Sequence, residues 1–80
     1  MKKPENLPKE QKELLIKIGK KLLRLRNDQK KGYETVAKEI GIPRNTYYQV
    51  ESGNLNFQFS TILQIIKHYK MSVAEFFKDL

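Results

Sequence analysis

Residues 37–53 read AKEIGIPRNTYYQVESG, and the fold of the 80-residue chain turns on how this stretch is divided. Gly41 is placed to end a helix in the left-handed conformation that glycine adopts without a Cβ penalty. Pro43 stands at the threshold of the next helix, where a missing N–H costs nothing. The run that follows ends at Ser52 and is stopped by Gly53. On a helix, positions 44, 45, 48 and 49 form one stripe, and Tyr47 and Val50 form the opposing one. The stretch therefore predicts a short helix, a tight turn at Gly41, and a second helix. The second helix has an apolar side built from Tyr47 and Val50 and a polar side built from Arg44, Asn45, Tyr48 and Gln49.

Outward from this pair, helical periodicity dominates. Leu15, Ile18, Leu22 and Leu25 recur at spacings of three and four, which predicts a first helix over about 9–29. YETVAKEIG predicts the second, with Val36, Ala37 and Ile40 on one face. NLNFQFS alternates polar and apolar residues and predicts an extended segment, with Phe59 entering the core and Phe57 exposed. From Ser60 the helical pattern returns, with Ile62, Leu63, Ile65, Ile66 and Tyr69 as a broad apolar face. MSVAEFF opens a fifth helix: Ser72 with Glu75 three residues on is a capping box, and Met71 is positioned as its staple. The glycines at 19, 32, 41 and 53 read as helix punctuation. The expectation is an all-α fold, one domain over 9–80 preceded by a flexible N-terminal tail at 1–8.

The charge is lopsided. Residues 1–50 carry thirteen Lys and Arg against six acids, while residues 51–80 carry three of each, so the whole excess of +7 lies in the first half. Such a bias fits contact with a polyanion, although lysines also solvate helix faces. The chain has no cysteine, which fits a reducing compartment such as cytoplasm. No apolar run reaches the roughly 18 residues of a membrane span, and no secretory leader is expected at the N-terminus, so no membrane partner is expected. The single histidine, His68, has no second His or Cys with which to hold a metal and reads as a surface or boundary residue. No glycine-rich phosphate loop and no nucleophile–base motif is present, so neither catalysis nor a cofactor is expected.

A short helix holding a small residue, a turn with glycine and a second helix is the layout of a helix-turn-helix. With GKKLLRLR before it and STILQIIKHYKMSVAEFF after it, the sequence resembles the Xre-like, lambda-repressor-like helix-turn-helix regulators of bacteria and their phages. The resemblance runs without a gap over about residues 19–77. It implies a compact five-helix domain that binds double-stranded operator DNA, usually as a twofold homodimer, with the recognition helix starting at Arg44. It also implies base-edge contacts at Arg44, Asn45 and Gln49 with Tyr48 beside them, and a structural ion pair between Arg26 and Glu51. The residue types agree: Arg grips guanine bidentately, and Asn and Gln do so with adenine.

Phosphate contacts are expected at Tyr33, Lys31, Lys38, Asn54 and Asn56, with Lys30 and the tail lysines Lys2 and Lys3 as further candidates. The sequence departs from the resembled family at several of these positions. Tyr33 stands where Gln is frequent, and Gly32 where a capping Ser or Thr is usual. The loop glycine is shifted from position 30, and the stretch after Gly53 is uncharged rather than basic. Phe57, Phe76, Phe77 and Leu80 are expected to form a dimer interface, as two separate patches between which the sequence does not choose. The expected function is a sequence-specific regulator, a repressor acting on a palindromic operator. The alternatives are an antitoxin-like component bound to a protein toxin, or a protein-binding adaptor on the same fold.

Overall fold

The computed structural model describes residues 8–54 and 57–80. The expected tail, with Lys2 and Lys3, lies outside the described residues but for Pro8, and so does Asn56. Five helices follow in order: α1 Lys9–Asp28, α2 Tyr33–Ile40, α3 Arg44–Glu51, α4 Phe59–His68 and α5 Val73–Phe77. All of the secondary structure among the described residues is helical. Helix α3 packs on α1 and α2, α2 packs on α4, and α4 packs on α5.

The apolar periodicities converge on one core. Leu22 of α1, Val36 and Ala37 of α2, Tyr47 and Val50 of α3, Ile62, Ile65 and Ile66 of α4 and Phe76 of α5 are all buried. Tyr47 is fully enclosed, and its hydroxyl lies 2.6 Å from the hydroxyl of Tyr69 inside the core. Burial and this mutual hydrogen bond push the Tyr47 phenol far above its ordinary range, and burial raises Tyr69 as well. Both hydroxyls therefore stay protonated and tie α3 to the end of α4.

Two features concealed in α1 decide how tightly the bundle closes. Gly19 is not punctuation. A Cβ there would collide with the backbone carbonyl of Glu51, so glycine is what lets α1 and the end of α3 touch backbone to backbone. Lys21 is buried, whereas Lys9, Lys17 and Lys20 of the same helix are exposed. Its ammonium donates to the backbone carbonyls of Glu75 and Phe76 and lies 4.9 Å from the centroid of the Phe76 ring. A cation is thereby set against the carbonyl end of α5, where the helix dipole favours it.

Four helices end with a residue in the left-handed region: Lys30 after α1, Gly41 after α2, Gly53 after α3 and Lys70 after α4. The closing bonds after α4 are those of a Schellman motif, Met71 N–H to Ile66 C=O and Lys70 N–H to Lys67 C=O. The start of α5 forms the capping box: Ser72 Oγ accepts from the Glu75 N–H at 3.1 Å, and Glu75 Oε1 accepts from the Ser72 N–H at 2.9 Å. The bond from the Ser72 N–H, helped by the Ser72 hydroxyl, holds the Glu75 carboxyl below the usual carboxylate range.

The segment before α4 corrects an expectation. The alternating pattern ends at Gln58, which is the N-cap of α4, and the helical period takes over from Phe59 rather than Ser60. Phe59 consequently points out and is 64% exposed, while Phe57 packs against the core.

Candidate nucleic-acid interface

Helix α3 is held from three sides. Tyr47 and Val50 plug it into the core, and Gly19 admits its C-terminal end against α1. Arg26 of α1 grips Glu51 at that same end, Nε to Oε2 and Nη2 to Oε1, both at 2.8 Å. Arg26 Nη1 also donates to the Lys31 carbonyl at 2.9 Å, so one guanidinium joins α1, the α1–α2 loop and α3. The side chains are 15% and 8% exposed. The bidentate bond to Glu51, stronger than the opposing cost of burial, raises the Arg26 pKa further.

With its inner face so occupied, α3 presents the other stripe. Arg44, Asn45 and Tyr48 are exposed and Gln49 is half-buried beside them. The turn before α3 follows from local chemistry. Gly41 at φ +92° and the bonds of Gly41 and Ile42 N–H to the Ala37 carbonyl fold the chain back. The buried Ala37 leaves room for the two helices to approach. Neither α2 nor α3 has a side-chain cap at its N-terminus, where Gly32 and Pro43 stand. The first N–H groups of both helices are therefore without intrahelical acceptors.

Tyr33 is not a loose substitute for glutamine. Its ring lies 5.2 Å from that of Tyr48 at a tilt of 49°, so the first residue of α2 supports an outward residue of α3 by aromatic contact. Lys38 and Asn54 are exposed. Lys31 already has a partner: its ammonium lies 2.9 Å from both Glu39 carboxylate oxygens. Arg44 Nη1 lies 3.3 Å from Glu34 Oε2 of α2, a contact that the sequence pattern did not single out.

The apolar residues expected at an interface divide differently. Phe76 is fully buried, so it belongs to the core and is withdrawn from any partner. Its ring packs edge-to-face on Phe77 at 5.1 Å. Phe57 and Phe77 come together in one groove of about 260 Å³, completed by Leu14, Ile18, Phe59 and Ile62. Leu80 lines a separate cleft with Lys17, Lys20 and Arg24. The two patches read from the sequence thus become one apolar groove, with Phe76 beneath and Leu80 elsewhere.

Among the described residues no group of His, Cys, Asp or Glu side chains is gathered to hold a metal ion, and no helix is long and apolar enough to cross a membrane.

Fold and site together define a helix-turn-helix protein, the class of DNA-binding domains that sets its second helix in the major groove. A family model described as a helix-turn-helix domain matches residues 17–76, and the chain belongs to that family. No curated protein and no solved structure matches it.

Proposed function

We propose that this chain is a sequence-specific transcriptional regulator of the Xre-like kind, a repressor that reads a palindromic operator as a homodimer. The observation that carries the reading is the outward stripe of Arg44, Asn45, Tyr48 and Gln49 on a helix locked from behind. Side chains that read base edges must be held rigidly, because each good bidentate contact discriminates by about 1–3 kcal/mol only when its geometry is kept. Tyr33, Lys38 and Asn54 flank the stripe as phosphate contacts, aided by the uncapped N–H groups of α2 and α3. Lys31 contributes only when it exchanges Glu39 for a phosphate.

A twofold site needs two recognition helices about 34–36 Å apart. One chain, 32 Å in its longest dimension, offers one such helix. The partner is a second copy, seated on the groove that contains Phe57, Phe59 and Phe77. Among the described residues no charged side chain lines that groove, so two chains of net charge +7 meet there without opposing the lysines described.

Selection of bound sequences from a random duplex pool tests base preference and half-site spacing together. The expected result is an inverted repeat with half-sites one helical turn apart. Arg44→Ala is expected to relax the preference at one base pair per half-site and to weaken operator binding by about 1–3 kcal/mol. Lys38→Ala is expected to weaken all duplexes about equally. Equal loss on operator and random duplex for Arg44→Ala would remove its assigned role.

A further inference from the structure

We infer that Glu34 is a specificity-determining residue, a positioning carboxylate that keeps Arg44 for base edges and away from phosphates. The inference rests on the DNA-reading assignment of α3 and deepens it. Three observations carry it. Glu34 Oε2 lies 3.3 Å from Arg44 Nη1, across the cleft between α2 and α3 that Thr35, Ala37 and Ile42 also line. Arg44 is the first residue of α3, and α3 has no acid in its first turn. A cation is disfavoured there by the positive end of the helix dipole, so Glu34 compensates from the neighbouring helix. Both side chains stand mostly in water, 63% and 59% exposed, and an exposed pair adds little to stability. A pair that contributes little to the fold, on the first residue of the presented helix, is explained by what it does to that residue.

The guanidinium has five N–H donors in a planar fork, and the carboxylate comes nearest to it at Nη1, as a charge contact. The donors stay free for guanine O6 and N7, and the Glu34 charge draws the guanidinium toward the α2 side of the cleft. A long arginine without this tether also reaches phosphate oxygens, which every sequence offers. The carboxylate further repels the DNA backbone at that point. Glu34 therefore lowers affinity for any duplex while sharpening the choice of one.

The test compares the full chain with Glu34→Ala, Glu34→Gln, Arg44→Ala and the double variant Glu34→Ala/Arg44→Ala. Each is titrated against the selected operator, the operator changed at the Arg44-dependent base pair, and a random duplex, over a range of salt. Glu34→Ala is expected to bind random duplex severalfold tighter and to lose about tenfold in the operator-to-random ratio. Its salt slope on random duplex steepens by about one, the signature of one more phosphate neutralised. Glu34→Gln removes the charge and keeps the size, so it follows Glu34→Ala in both the lowered ratio and the tighter random binding. In the Arg44→Ala background, loss of Glu34 leaves base preference unchanged. A merely structural carboxylate at the start of α2 would move the melting temperature and neither the ratio nor the slope. If the parent chain prefers its operator and Glu34→Ala preserves both, the inference fails alone. If the parent chain shows no base preference, the reading of α3 fails and takes the inference with it.

Discussion

At Lys30 and Lys70 a β-carbon sits in the left-handed region, both at φ +57°. The conformation costs an L-residue about 1–2 kcal/mol relative to its relaxed geometry. The helices end there anyway, because Met71 is drawn into the core behind α4 and the Arg26 guanidinium holds the Lys31 carbonyl behind α1. Lys70 is exposed, and only its backbone engages the Schellman bonds. Lys70→Gly is therefore expected to stabilise the chain by about 0.5–1 kcal/mol. For a domain this small that is a rise of several degrees in thermal denaturation. An unchanged or lower midpoint would show that the unfolded-state entropy of glycine outweighs the relieved strain.

Between elements, most of what holds α2 against α4 is apolar, but one polar contact there is sensitive to pH. His68 ends α4, with Nε2 3.2 Å from Gln29 Oε1 and 3.8 Å from Glu39 Oε1 of α2. Burial lowers the imidazole pKa below its ordinary 6.5. The Glu39 carboxylate opposes that shift, and the nearby Lys31 ammonium reinforces it. A base with a lowered folded pKa is protonated more readily in the unfolded chain. Its contribution is therefore complete above 6.5 and is lost as pH falls from there through the folded value. The melting temperature is expected to be flat in this respect from pH 8 to 7 and to decline below about 6.5. His68→Gln should remove that step and leave the carboxylate-driven loss at lower pH. A decline of equal size in the variant would assign it to the acids.

The same element scale shows what the sequence could and could not disclose. Helices α1 to α4 were legible from apolar faces at helical spacing and from Gly41, Pro43 and Gly53 at their ends, and α5 from its Ser72–Glu75 capping box. Gly19, Lys21 and Glu34 were not legible as what they are. Each acquires its role from a group far along the chain or on another helix: the Glu51 carbonyl, the Glu75 and Phe76 carbonyls, and Arg44. A lysine on a lysine-rich helix has no local signal that one copy is buried. Phe59 was misassigned for a related reason. The period-two pattern and the helix meet at Gln58, and one residue of shift in that boundary turns its side chain outward.

For the whole molecule, the size of the core and the size of the operator make opposite demands. The core is complete within one chain: Tyr47, Phe76 and the α4 isoleucines are fully enclosed, and no buried side-chain polar atom among the described residues lacks a partner. The proposed reading of a palindrome needs a second chain, and the groove of Leu14, Phe57, Phe59 and Phe77 is the surface left for it. Phe59 separates the two demands, since at 64% exposure it adds little to the core. Burying its exposed part in both copies of a twofold interface is worth roughly 2–4 kcal/mol per dimer. Phe59→Ser is then expected to weaken self-association by roughly 30- to 700-fold. Its melting temperature, taken at a concentration where the parent chain is monomeric, should stay within about 2–4 °C because Phe59 stands outside the buried core. Sedimentation across a concentration series measures the first quantity, and operator titration should show the variant filling half-sites one at a time. If Phe59→Ser sediments and binds as the parent chain does, the groove is not the dimer surface. The recognition helices must then be paired through another face.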